Sequence, residues 1–335
     1  MRHEAKYYRK KGNTVICELC PNMCRLLNGE TGKCRTRTNR HGMLITEAYA
    51  NPCALHIDPV EKKPLYHFLP GTSTLSLATA GCNLACRNCQ NHDISQTSPL
   101  ETQNLDLQPD DIVVMAIQKG CSSISYTYTD PVAYYEYMLD TAQKANEKGL
   151  KNIMVSAGYI NPQPLDELLP FIDAANIDLK TFDDNVYHEL SGVHLKPVLN
   201  TLLKLKEAGV WLEITNLLVP TYSDDVAMIE KMLDWLVENG FKSVPIHYNR
   251  FVPTYKLHYL HSTPIALLLQ VAEMAVSKGM KYVYVGNIGP NHYSNTYCPV
   301  CQAVLLYRTG YSIRSKLNNY GKCDECNCEL DGVWK

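Results

Sequence analysis

From Leu75 to Gly286 the apolar positions fall in short β-type blocks separated by longer stretches of helical period. The blocks are "LSLAT", "SISYTYT", "NIMVSA", "AANIDLK", "LEITNLLV", "PIHYNRF" and "KYVYVG". Helices are predicted between them, over Pro131–Lys148, Ser223–Asn239 and Thr263–Lys278 among others. "SDD" at 223–225 offers an N-cap and early acidic charge, and Gly240 a C-terminal stop. Gly149, Gly209 and Gly279 end other helices in the same way. Strand–helix alternation over about seven units predicts a parallel sheet. The fold class expected is α/β, a partial or closed TIM-like β/α barrel, with a doubly wound sheet as the alternative. Residues 57–295 make up this barrel, 1–56 a cysteine-bearing head and 296–335 a cysteine-rich tail. Neither flank has enough apolar periodicity to fold without a metal.

Composition narrows the class. The chain has 335 residues, 45% of them hydrophobic and 20% charged, which is ordinary for a globular protein. A net charge of -2 offers no basic surface for nucleic acid. No apolar run reaches membrane-spanning length, so no membrane partner is expected. The start, "MRHEAKYYRKKG", lacks the apolar segment of a secretory signal, and a cytoplasmic location is expected. There, 14 cysteines point to metal sites and not to disulfides. Twelve fall into three clusters; Cys53 and Cys121 stand alone, and Cys121 reads as a small buried hydrophobe.

The central cluster follows the first barrel strand. "GCNLACRNCQN" spaces Cys82, Cys86 and Cys89 as C-x3-C-x2-C. Loops leaving the C-terminal ends of barrel strands build active sites. A cubane iron–sulfur cluster takes one protein ligand per iron, so three thiolates leave one iron open to a small molecule. Zinc would usually be closed by four ligands, or by three including nitrogen or oxygen donors.

This loop resembles the hallmark of radical S-adenosylmethionine (SAM) enzymes. In those enzymes the amino and carboxylate groups of SAM chelate the open iron of a [4Fe–4S] cluster. Reductive cleavage then yields methionine and a 5′-deoxyadenosyl radical that abstracts hydrogen. "IDPVEKKPLYHFLPGT", "SYTYTDP", "YVGNI", "NTYCPVC" and the terminal "GVW" extend the similarity from Cys17 to Trp334. Together these stretches resemble the radical enzyme of the AmmeMemoRadiSam system, itself similar to pyruvate formate-lyase activating enzymes. The resemblance implies AMMECR1-like and Memo-like partners and an electron donor such as ferredoxin or flavodoxin.

It also implies cofactor contacts at the strand ends. Thr129 and Asp130 match the place where relatives hold the SAM ammonium, Asp130 standing where glutamate is common. Asp178 and Lys180 resemble the "DLK" in which lysine neutralises the SAM carboxylate. "SAGY" has Ala157 where relatives show asparagine, which leaves only backbone contributions around Gly158. His247 and Asn287 complete the expected cofactor set, with Gly286 favoured for close approach to a nucleoside. Catalytic candidates are Lys63, Tyr66 and His67 in "EKKPLYHF", read as substrate-facing beside Lys62, together with Arg250.

The tail places Cys298-x2-Cys301 and Cys323-x2-Cys326 across 21 residues, with Cys328 extra. Paired knuckles of this kind read as a zinc ribbon, an iron–sulfur cluster being the alternative. Cys17, Cys20, Cys24 and Cys34 in the head fit zinc or an auxiliary cluster equally. Three functions follow: hydrogen abstraction from a small organic substrate, an activase forming a glycyl radical on a partner enzyme, or a non-catalytic metal scaffold.

Overall fold

The computed structural model describes residues 3–317 and 321–335. Among these, the central sheet has eight strands. In spatial order they are Val283–Gly286, Ile246–Arg250, Trp211–Leu218, Ala174–Asp178, Lys151–Ser156, Ser123–Tyr126, Ser73–Thr79 and Pro52–Pro59. The first seven are mutually parallel. Pro52–Pro59 runs antiparallel along Ser73–Thr79 and forms one edge. The two edge strands do not pair with each other, so the barrel is partial.

All seven predicted blocks are strands of this sheet. Their alternation explains its two faces. Leu75, Leu77, Ile124, Tyr126 and Met154 face outward into the main core, packed with helices such as Tyr135–Glu147 and Val226–Glu238. Asp225 caps the latter, its carboxylate accepting from the Met228 N–H at 2.7 Å. Ile153 and Ala174 face inward instead, against Val60, Leu65 and Phe68.

That inward contact corrects one expectation. The segment 60–69, expected to face substrate, packs into the barrel interior against early positions of the strands. Asn176, third in its strand, donates to the Pro64 carbonyl at 2.8 Å. Glu213, also third in its strand, accepts the N–H groups of Tyr66 and His67 at 3.0 and 2.7 Å. The boundary expected after residue 56 likewise falls inside an edge strand of the barrel.

Two small antiparallel sheets build the head, from Tyr8–Lys11, Thr14–Cys17 and Arg25–Leu26, and from His3–Glu4, Met43–Thr46 and Arg37–Arg40. Ala5, Val15, Leu26 and Leu44 join the same core as the barrel helices, so the head shares the barrel's core. A buried ion pair between Arg37 and Glu136 pins the two together. The tail forms a three-stranded sheet from Thr296–Tyr297, Val304–Thr309 and Ser312–Ser315. Its end returns to the barrel, where Leu69 N–H meets the Val333 carbonyl at 2.7 Å. Among the described residues no helix is long and apolar enough to cross a membrane.

Candidate functional site

Cys82, Cys86 and Cys89 lie in the loop that leaves Ser73–Thr79. The neighbouring backbone dictates the loop's path. Gly81 has φ +95°, and a Cβ there would meet the Cys34 carbonyl oxygen at 2.4 Å, so only glycine fits. Ala85 and Arg87 N–H donate to the carbonyls of Ser191 and Leu190 at 2.9 Å each. Those carbonyls end helix Asp184–Ser191, which Asp183 caps at its start.

Donors point at the sulfurs. Leu84 N–H lies 3.5 Å from Cys82 Sγ, and Ser95 Oγ 3.1 Å from Cys89 Sγ. Burial, with the Asp130 carboxylate and Cys86 beside it, pushes the Cys82 thiol far up. A thiolate here therefore needs the positive charge of a metal. Burial pushes Cys86 up too, and Lys180 opposes it. Three thiols in one loop, with polar groups against Cys82 and Cys89 and a lysine near Cys86, fit an iron–sulfur cluster with one iron left open.

Asp178 and Lys180 stand together at this site, Lys180 Nζ 2.8 Å from Asp178 Oδ2. Asp130 is near as well, and its carboxylate is hydrogen-bonded within the protein. It accepts from Val132 N–H at 3.1 Å, Ala157 N–H at 2.8 Å and the Ser156 hydroxyl at 3.1 Å. It therefore shapes the 156–158 loop. Thr129 donates to the Thr79 carbonyl at 2.9 Å. Gly158 has φ +68° and gives its carbonyl to Thr201 at 2.7 Å.

Other expected contacts are used differently. His247 Nε2 lies 2.7 Å from the Glu213 carboxylate, and its ring stacks 5.1 Å from Tyr284. Its imidazole thus serves the interior plug. A Cβ on Gly286 would meet Asn249 Oδ1 at 2.1 Å, so that glycine makes room for the Asn249 side chain. Asn287 is exposed, with φ +60°, and donates to the Arg250 carbonyl at 3.0 Å. Arg250 Nε donates to the Thr263 carbonyl at 2.9 Å.

The plug holds the remaining candidates. His67 is fully buried, its Nδ1 2.7 Å from the Asp331 carbonyl. A carbonyl only accepts, so Nδ1 carries the proton and Nε2 accepts from the Tyr284 hydroxyl at 2.6 Å. Burial pushes the His67 pKa down to about 4 and keeps the ring neutral. Tyr66, half-buried, packs 4.8 Å from His247 under the Arg308 guanidinium. Burial would push Glu213 up, yet the His247 hydrogen bond and charge outweigh it and hold the carboxyl low. Glu213 escaped notice in the sequence, although a carboxylate within the apolar run "LEITNLLV" signals a buried partner.

Lys63 Nζ lies 2.7 Å from Asp58 Oδ2 and 4.6 Å over the Tyr128 ring. Burial lowers the Lys63 pKa to about 8 despite that carboxylate. Tyr128 also bonds Asp58 directly. Beside this trio a groove of about 380 Å³ is lined by His56, Asp58, Lys62, Asn91 and Tyr128. It adjoins the thiol loop, since Asn91 follows Cys89 by two residues. In the tail, Cys298, Cys301, Cys323 and Cys326 offer sulfurs all within 4.8 Å of one another, close enough for one metal ion.

A partial β/α barrel with an open three-thiol loop at its strand ends defines the radical SAM class. Residues 76–236 match the Radical SAM superfamily. The chain is 42% identical over 335 residues to an uncharacterized protein of Methanocaldococcus jannaschii, covering 98% of this chain and 99% of that one. It is 22% identical over 173 residues to the pyruvate formate-lyase-activating enzyme of Clostridium pasteurianum, covering 49% of this chain and 68% of that one. A solved structure of Streptococcus suis SuiB shares the fold with TM-score 0.51 and 15% identity, over 69% of this chain and 52% of that one. The chain belongs to the radical SAM superfamily and is a radical SAM enzyme. Membership implies a [4Fe–4S] cluster and SAM.

Proposed function

We propose that this enzyme abstracts hydrogen from a small polar organic substrate, in company with AMMECR1-like and Memo-like proteins and a ferredoxin- or flavodoxin-type electron donor. Cys82, Cys86 and Cys89 would hold the cluster, which when bound supplies reductive cleavage of SAM. Lys180, steadied by Asp178, would receive the SAM carboxylate, and Asp130 would position the adjoining loop. Thr129, Gly158 and Asn287 remain at strand ends where backbone contact with the cofactor is expected. The tail cysteines would hold a structural zinc.

One observation carries the substrate reading. The groove of about 380 Å³ beside the thiol loop is of small-molecule size. Its lining sets His56 and Asn91 beside the mutually bonded Asp58, Lys62 and Tyr128 and the apolar Ala54, Ile57 and Ile94, a mix that suits a small polar metabolite. The activase reading has support of its own, since the chain is 23% identical over 124 residues to the 4-hydroxyphenylacetate decarboxylase activating enzyme of Clostridium scatologenes. That match covers 36% of this chain and 39% of that enzyme.

The test is anaerobic reconstitution with iron and sulfide, then reductant, SAM and the companion proteins. Deuterium should pass from a labelled small substrate into 5′-deoxyadenosine, faster with the companions than without. A stable glycine-centred radical accumulating on a partner polypeptide would establish the activase function instead.

A further inference from the structure

The head cysteines form a site of their own. Cys17, Cys20, Cys24 and Cys34 line one cavity together with Arg37 and Asn83. Each of the four sulfurs faces a donor. Arg37 Nη1 lies 3.7 Å from Cys17 Sγ, Asn22 Nδ2 3.6 Å from Cys20 Sγ and Lys33 N–H 3.5 Å from Cys24 Sγ. The Thr36 hydroxyl is 3.1 Å from Cys34 Sγ and 2.8 Å from the Ala133 carbonyl, so it is shared between them. Donors directed at sulfur favour ligating thiolates over thiols. Arg37 is only 1% exposed, its Nε has no partner, and its charge sits against this same sulfur set.

Spacing separates this site from the tail. The tail sulfurs approach to 3.5 and 3.6 Å, near the ~3.8 Å edge of a tetrahedron with metal–sulfur bonds of ~2.3 Å. Among the described residues, the tail set is the one group of three or more metal-ligating side chains whose ligand atoms all lie within 4.8 Å. The head sulfurs share a cavity but stand wider apart, as do those of the radical loop. Sulfurs spread around a common space suit a cluster of several irons.

The head cavity also abuts the radical loop. Cys82 N–H donates to the Cys34 carbonyl at 3.1 Å, and Asn22 Nδ2 donates to the Asn83 carbonyl at 2.8 Å. We infer that Cys17, Cys20, Cys24 and Cys34 hold a second iron–sulfur cluster, in backbone contact with the loop of the first.

A variant with Cys82→Ala, Cys86→Ala and Cys89→Ala tests this with the head intact. Purified anaerobically without reconstitution, it should retain iron and acid-labile sulfide in equal amounts, with a thiolate-to-iron absorption band. Adding Cys17→Ser and Cys34→Ser should remove that iron while zinc and the far-ultraviolet circular dichroism stay unchanged. The inference is overturned if the first variant carries zinc in place of iron at the head, or if its iron is lost entirely while the head remains folded.

Discussion

Replacing Lys180 by alanine probes the cofactor site directly. Lys180 Nζ spends one donor on Asp178 at 2.8 Å, which leaves two of an ammonium's three for an incoming carboxylate. Burial disfavours its charge, but Asp178, Cys86 and Tyr187 together outweigh that and hold its pKa well above the ordinary value. It is therefore cationic at neutral pH. A charge-assisted hydrogen bond typically contributes about 1.5–3 kcal/mol. Since about 1.4 kcal/mol is tenfold, Lys180→Ala should weaken SAM binding roughly ten- to a hundredfold. The Asp178 side chain, 38% exposed, stays hydrated and loses little when its partner goes. Calorimetry on the anaerobic, iron-replete variant measures the dissociation constant, with iron content as the control for an intact cluster. Lys180→Arg should recover part of the affinity. An unchanged constant in the iron-replete alanine variant would exclude Lys180 from the cofactor site.

Further outcomes follow from the rest of the molecule. The tail should contain one zinc on Cys298, Cys301, Cys323 and Cys326, and an iron edge in place of a zinc edge in X-ray absorption of that site would refute it. His67 has a folded pKa near 4 against ~6.5 unfolded, so its contribution to stability is complete above pH 6.5 and is lost as pH falls toward 4. Between pH 7.5 and 5.5 it should cost about 1.4 kcal/mol that His67→Gln does not lose, and equal losses in urea titrations of both proteins would contradict the neutral ring. Glu136→Gln leaves Arg37 buried without its carboxylate and should destabilise by about 3–5 kcal/mol. A denaturation midpoint close to that of the parent would mean that the pair does not pin the head.

Some of this was legible along the chain because the cause is local. Strand positions follow from alternation of apolar residues, which depends on neighbours two apart. Asp225 caps its helix because a carboxylate just ahead of the first turn reaches N–H groups two or three residues on. The C-x3-C-x2-C spacing keeps its three cysteines in one loop, so they had to share one end of a strand. The nearness of Asp178 to Lys180 needed only that a strand return to the same face every second residue.

What only the tertiary structure decided depends on residues far apart in sequence. Tyr66 and His67 read as substrate-facing along the chain, and only the fold shows that Glu213, about 150 positions on, accepts their backbone N–H groups. A carboxylate on an inward-facing strand position cannot stay unpaired, and the segment 60–69 is drawn inside to satisfy it. Gly286 read as space for a ligand, and only the fold shows the Asn249 side chain on the adjoining strand lying against it. Asp130 read as a ligand acceptor, and only the fold shows that it also holds the loop at Ser156 and Ala157. The head cysteines allowed zinc or iron equally, because one-dimensional spacing does not say how far apart sulfurs stand once folded. That distance, and the Cys34–Cys82 contact beside it, comes from packing the head against the barrel core.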